Sequence, residues 1–225
     1  MNSTLLVVDT STEACSVALS IRGVITQRFE IIPRQHTQRI MPMIQDVLSE
    51  AGIHLQQCDA IAFGRGPGAF TGLRIAAGIV QGLAYGANLP VIPISTLAAL
   101  AQGAVRECNA PYVFSAIDAR MGEVYWACYK QENGLVSAVN QERVSAPNQV
   151  NCTHDVGAAS WVGVGTGCEY QAQFALRCTR YAIDRYPRAS DMAVLAQTLF
   201  ANGDMVSAEQ AIPVYLRDDV VDQKK

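Results

Sequence analysis

Residues 5–12 read Leu-Leu-Val-Val-Asp-Thr-Ser-Thr, and residues 112–120 read Tyr-Val-Phe-Ser-Ala-Ile-Asp-Ala-Arg. Each is a short apolar run that ends on an aspartate and breaks into turn-forming side chains, as a buried strand does when it enters a hairpin. After the first, Ala14 to Leu19 alternates and stops before Arg22-Gly23, and Val24 to Ile31 supplies a third strand. After the second, Glu123 to Tyr129 returns past a turn at Met121-Gly122, and Asn133-Gly134 is a strong hairpin turn into Leu135 to Val139. Two strand-Asp-hairpin units of one design predict two similar lobes. The boundary is expected between Gly103 and Pro111, where charge, Asn and Pro cluster, which divides the chain into 1–105 and 106–225.

Between and after these units the period changes. Ile40, Met43, Ile44, Val47, Leu48 and Ala51 fall on one face of an amphipathic helix over His36 to Ala51, and Gly52 stops it. Ala60 to Phe63 reads as a buried strand that runs through a glycine-rich loop, Gly64 to Gly72, into a helix over about Gly72 to Tyr85 with Thr71 as N-cap. A strand at Val91 to Ile94, a helix over Ser95 to Val105, a strand-to-glycine junction at Trp161 to Gly165 and a helix over Ser190 to Phe200, with Ser190 as N-cap, complete the reading. Helices flanking a mixed sheet in each lobe give an α/β fold.

Composition narrows the function. Half of the 225 residues are apolar and 16% are charged, which suits a packed globular chain. A net charge of −3 with only three lysines (Lys130, Lys224, Lys225) argues against gripping nucleic acid unaided. The tightest basic group, Arg177, Arg180, Arg185 and Arg188, reads as a solvated surface before it reads as an RNA contact. Seven cysteines form no C-x-x-C pair, the N-terminus lacks a signal-peptide pattern and no run of 18 apolar residues occurs, so a cytoplasmic protein with reduced thiols and no membrane span is expected.

The glycine-rich loop has the ingredients of an anion cradle, but neither the Walker spacing nor G-x-G-x-x-G is present, so a tight structural loop is the plainer reading. Arg74 lies in the first turn of the following helix, where a cation opposes the macrodipole and calls for a nearby carboxylate. Gly78, Gly82 and Gly86 recur every four residues in the same helix, and each costs about 1 kcal/mol relative to Ala. Close approach of the protein's own sheet or of another subunit would compensate, and a helix apolar nearly all round points to a subunit interface. Asp9 and Asp118 either hold a magnesium–phosphate group at the two hairpins or accept turn hydrogen bonds. His36, His54 and His154 are isolated, without H-x-x-x-H or H-E-x-x-H, and no G-x-S-x-G elbow occurs, which leaves no metal pair and no positioned nucleophile.

The stretches LLVVDTSTEACSVAL, GRGPGAFTGLRIAAGIVQGLA, IDARMGEVYWA and PVYLRD, in that order along nearly the whole chain, resemble the TsaB/YeaZ family. The resemblance implies the two-lobed actin/Hsp70/sugar-kinase-like (ribonuclease H-like) fold and kinship with the catalytic paralogue TsaD, which transfers threonylcarbamoyl to an adenosine of tRNA. TsaD-like sequences carry a metal-binding H-x-x-x-H segment after the equivalent glycine-rich helix and strand. Pro93 to Leu100 holds neither histidine nor carboxylate there, so the resemblance implies a fold kept and a catalytic centre lost.

It further implies a scaffold that pairs with a TsaD-like transferase, helps recruit a TsaE-like ATPase, self-associates as a homodimer when alone and meets tRNA only through the complex. The expected partner face comprises Ile40, Met43, Ile44, Val47, Arg74, Ile75, Gly78, Ile79, Gly82 and Tyr85. A vestigial nucleotide site is expected at Asp9, Ser11, Thr12, Asp118, Gly165 and Gly167, with no cofactor of its own and ATP at most in the assembled complex. Two rival readings stand beside it. One is a nucleotide-dependent ATPase of the same fold, which Arg120 beside Asp118 disfavours; the other is a peptidase, for which nothing supplies a metal or a nucleophile with its base.

Overall fold

The computed structural model describes residues 3–217 except 153, 155 and 157–159; Asp218 of the PVYLRD stretch, Lys224 and Lys225 lie outside them. Eleven strands and four α-helices are found among the described residues: β1 (Thr4–Asp9), β2 (Ala14–Ile21), β3 (Val24–Ile31), α1 (His36–Ala51), β4 (Ala60–Gly66), α2 (Phe70–Ala87), β5 (Val91–Ser95), α3 (Thr96–Cys108), β6 (Tyr112–Arg120), β7 (Glu123–Glu132), β8 (Leu135–Ala138), β9 (Arg143–Ser145), β10 (Trp161–Val164), β11 (Cys178–Ala182) and α4 (Ala189–Asn202).

The strands form two sheets of the same plan. The first has the order β3-β2-β1-β4-β5, antiparallel through β1 and parallel from β1 to β5. The second runs β8-β7-β6-β10-β11 with the same senses, and β9 adds to β7. The two strand-Asp units of the sequence are β1 and β6, each the pivot between the antiparallel and parallel halves of its sheet. This is the two-lobed α/β fold with mixed sheets.

Alternation along β1 decides which helix covers which face. Leu6 and Val8 turn toward α1 and α2, in one cluster with Ile40, Met43, Ile44, Val47, Ala76 and Val80. Leu5 and Val7 turn the other way, onto Ala189, Met192, Ala193 and Ala196 of α4. The division at 105/106 therefore follows the chain but not the packing. α4, late in the sequence, covers the first sheet. α3, which starts before the boundary and runs across it, lays Leu97, Leu100, Ala101 and Val105 on Val113, Ile117 and Ala127 of the second. The helices cross over because each sheet has an apolar face that the helices of its own chain half leave bare.

The α1 boundaries agree with the periodicity, and Gly52 adopts the left-handed cap at φ 66. α2 starts earlier than expected, with Ala69 and not Thr71 at its N-cap. The Ala69 N–H donates to the Ser11 carbonyl at 2.7 Å, which fixes the chain before Thr71 is reached. α4 likewise begins at Ala189, and Ser190 is not its cap; its N–H donates to Gln27 Oε1 at 3.0 Å. No helix among the described residues is long and apolar enough to cross a membrane.

Candidate partner face and interlobe cleft

The glycine-rich loop is seated on the first hairpin. A methyl group at Gly72 would overlap the Thr10 carbonyl oxygen and stand 3.1 Å from its carbon, and one at Gly68 would overlap the Ser11 carbonyl and stand 3.0 Å from Ser11 Cβ. Thr10 Oγ1 donates to the Gly72 carbonyl at 2.7 Å. These glycines permit close approach of backbone to backbone, and the loop lies where an anion cradle would need open amides.

Six residues were expected to flank a nucleotide, and the structure does not assemble them into one open site. Asp9 and Ser11 are fully buried, with Ser11 N and Oγ donating to the Asp9 carboxylate. Burial pushes the Asp9 carboxyl up to about 7, against the pull of the Ser11 hydrogen bonds. Gly165 and Gly167 serve packing: an added methyl at Gly165 would overlap the Ala116 carbonyl, and one at Gly167 would stand 2.9 Å from Ala116 carbon atoms. Ser11, Thr12 and Asp118 do border a cleft of about 560 Å³ between the lobes. Its hairpin carboxylate is already engaged, since Arg120 NH1 donates to Asp118 Oδ2 at 2.9 Å. The same guanidinium reaches Glu13 on the first lobe, so Arg120 ties the two hairpins across the cleft.

The ten residues of the expected partner face divide in two. Ile40, Met43, Ile44 and Val47 are buried under the first sheet and cannot form a surface; the apolar stripe of α1 is used up by the protein's own core. The α2 residues differ. Leu73, Ala76, Ala77, Val80 and Ala84 face inward, while Arg74, Gly78, Gly82 and Tyr85 are exposed and Ile75 and Ile79 half-buried. Nothing lies within 4 Å of where a Cβ would stand at Gly78, Gly82 or Gly86. The protein's own sheet therefore does not compensate these glycines, and α2 presents a smooth stripe with Tyr85 75% exposed at its end.

Arg74 has no carboxylate partner among the described residues. Its guanidinium lies 3.8 Å from the ring centroid of Phe70, and Nε donates to the Tyr215 hydroxyl at 3.2 Å. Phe70 and Tyr215 pack with centroids 5.2 Å apart, both rings partly in solvent. Attraction of a cation to an aromatic face replaces the carboxylate that the sequence called for. Tyr215 belongs to a returning segment whose Val214 N–H donates to the Arg65 carbonyl at 2.8 Å, and Arg217 then bonds the Ala119 carbonyl and Glu123 on the second lobe. The sequence reading missed Phe70, Met121, Ile212 and Tyr215 as exposed apolar side chains. Only the PVYLRD resemblance pointed toward that segment. Among the described residues no three metal-capable side chains come together.

Comparison with known proteins agrees with this architecture. The profile of the family described as TsaD, tRNA N6-adenosine threonylcarbamoyltransferase, matches residues 23–225. The chain is 47% identical to the tRNA threonylcarbamoyladenosine biosynthesis protein TsaB of Escherichia coli, covering 98% of this chain and 97% of that one. It is 44% identical to the protein of the same name from Haemophilus influenzae, over 99% and 97%. The solved structure of YeaZ from Pseudomonas aeruginosa superposes with a TM-score of 0.92 at 51% identity, covering 95% of this chain and all of that one. A second Pseudomonas aeruginosa structure, titled as an uncharacterized protein with similarity to peptidase YEAZ, gives 0.93 at 52%, covering 96% of this chain and all of that one. With near-complete coverage on both sides and the duplicated mixed sheets in place, the chain belongs to the TsaB/YeaZ family.

Proposed function

We propose that this chain serves tRNA threonylcarbamoyladenosine formation as a non-catalytic subunit, binding a TsaD-like transferase and helping to recruit a TsaE-like ATPase. The observation that carries the reading is the bare stripe of α2: Gly78, Gly82 and Gly86 exposed in line, flanked by Arg74, Ile75, Ile79 and Tyr85. Glycines that weaken a helix and meet nothing inside their own chain suit a partner helix approaching closely. The same stripe would serve a homodimer in the absence of the transferase. The sealed Asp9 and the Arg120 bridge support placing ATP with the partners or at the assembled interface. On this reading tRNA is met only through the complex.

Co-purification with the TsaD-like transferase tests this. Gly78→Leu fits the isolated fold, because nothing stands within 4 Å of the new Cβ, and should abolish the complex while leaving the circular dichroism spectrum unchanged. A complex that forms equally well with this variant places the partner elsewhere. ATP turnover by the isolated chain would overturn the non-catalytic reading.

A further inference from the structure

Four of the seven cysteines meet in one apolar cluster of the second lobe. Val124, Trp126 and Cys128 alternate onto the same face of β7, and Cys128 is wholly buried there in a cluster with Phe114, Val150 and Phe174. Its backbone is pinned, since Cys128 N–H donates to Asn140 Oδ1 at 2.7 Å and its carbonyl accepts from Val139 N–H at 2.8 Å. Cys152 comes two residues after Val150, which is buried in the same cluster. His154 follows, its ring centroid 5.8 Å from that of Tyr112. These two anchors hold Cys152 against the cluster, where its sulfur accepts a hydrogen bond from the Cys128 thiol.

The four thiols are not alike. Burial pushes Cys168 and Cys178 up, Cys178 to about 11, as suits groups that only pack. The hydrogen-bonded pair splits instead. Donation from Cys128, helped by the His154 N–H, brings Cys152 down to about 7, although partial burial works the other way. Cys128 moves up, because it holds the proton of that hydrogen bond and is buried. Cys152 is half-buried while Cys128 has no exposed surface, so the sulfur that ionises first belongs to the residue an outside reagent meets first. Such a pair has what disulfide exchange requires, an attacking thiolate and a second thiol beside it to resolve the intermediate.

We propose that Cys128 and Cys152, both free thiols in this structure, form a reversible disulfide by exchange with a low-molecular-weight disulfide. Cys152, its proton lost to water, attacks one sulfur of the small disulfide. A mixed disulfide forms and the first small thiolate leaves. Cys128 then gives its proton to that thiolate and attacks Cys152 Sγ, which forms the protein disulfide and expels the second small thiolate. Water returns a proton to the latter. Two protein thiols are oxidised and one small disulfide is reduced to two thiols. The bond ties β7 to the segment after Pro147–Gln149 and closes a loop that contains β8 and β9. It shares no residue with the α2 stripe.

The full-length chain is equilibrated with oxidised and reduced glutathione at graded ratios, quenched with acid, alkylated under denaturing conditions and mapped by peptide mass spectrometry. The expected product is a Cys128–Cys152 disulfide that excess reduced glutathione removes. Cys152→Ala should leave Cys128 reduced, and Cys128→Ala should stop at the mixed disulfide on Cys152. A second measurement follows alkylation of native Cys152 against pH. Its midpoint should lie near 7 in the wild type and move up in Cys128→Ala, where the donor is gone. No Cys128–Cys152 product at any ratio, a bond from Cys152 to Cys168 or Cys178, a wild-type chain that stops at the mixed disulfide, or a midpoint that Cys128→Ala leaves unmoved overturns the proposal.

Discussion

Gly64 has no side chain because Asp9 occupies the space. A methyl group on Gly64 would overlap Asp9 Oδ1 and stand 3.1 Å from both Asp9 Cγ and Met192 Cε. Asp9 cannot swing away cheaply, since it is fully buried and holds two bonds from Ser11. Gly64→Ala should therefore destabilise the fold by about 3 kcal/mol, at the upper end of overpacking costs. Asp9→Ala in the same chain removes the obstacle. Urea denaturation of the two single variants and the double should show strong coupling, with the double variant more stable than the sum of the singles predicts. Additive losses would mean that Met192, not Asp9, sets the limit.

The same aspartate makes stability depend on pH in a direction opposite to an ion-paired carboxylate. Its folded pKa is about 7, raised from 3.8 by burial, so between those values the folded state holds a proton that the unfolded state has released. The unfolded state binds fewer protons there, and stability falls as pH rises. The contribution is fully present below about pH 4 and is lost as pH passes through 7, a change of up to about 4 kcal/mol. Asp9→Asn keeps the shape and removes the titration. Denaturation free energies at pH 5 and pH 8 should differ less in Asp9→Asn than in the wild type, and the variant should be the more stable at pH 8. Parallel profiles would show that Asp9 stays charged when folded.

The sequence disclosed what is local and hid what is long-range. β1 and β6 were legible because an apolar run ending on Asp and a turn needs only a dozen neighbouring residues to recognise. The apolar face of α1 was legible as a face, but a periodic stripe does not say whether the chain's own sheet or another molecule covers it. Ile40, Met43, Ile44 and Val47 proved to be core for that reason. The glycines of α2 carried the opposite information: they cost helix stability wherever they point, so their presence asked for an explanation that the fold itself does not supply. The exchange of α3 and α4 between sheets, the sealing of Asp9 beneath Gly64 and the tilted packing of Phe70 against Tyr215 join residues far apart in sequence, and no spacing encodes them.

Arg106 and Asp191 hold the exchanged helices together. Arg106 Nε donates to Asp191 Oδ1 at 2.7 Å and NH2 to Oδ2 at 3.2 Å, and the Asp191 side chain is almost wholly buried. Burial raises the Asp191 carboxyl, and Arg106 opposes that rise. Arg106→Met would strand the carboxylate and cost about 2–3 kcal/mol, discounted from the value for a fully buried pair because Arg106 is half exposed. Adding Asp191→Leu should recover much of the loss, since the site then becomes apolar. Thermal melts of the two variants decide it. An Arg106→Met chain as stable as the wild type would show that water already screens the pair.

The α2 stripe sets stability against association. Gly78, Gly82 and Gly86 are interior or near-terminal helix positions with open space where a Cβ would be, so alanine at each should stabilise the isolated chain by up to about 1 kcal/mol. Gly86, one residue from the helix end, should give least. Those methyl groups would also stand between α2 and any helix packed against it, and the triple variant should therefore melt higher while holding the transferase more weakly. Both signs matter, because a purely structural role for the glycines predicts a loss of stability and a featureless exposed helix predicts no change in binding. Melting temperature and the dissociation constant for the transferase, measured on the same preparation, separate the three cases. A rise in melting temperature with unchanged affinity would clear α2 of the interface and direct attention to the exposed cluster of Phe70, Arg74 and Tyr215.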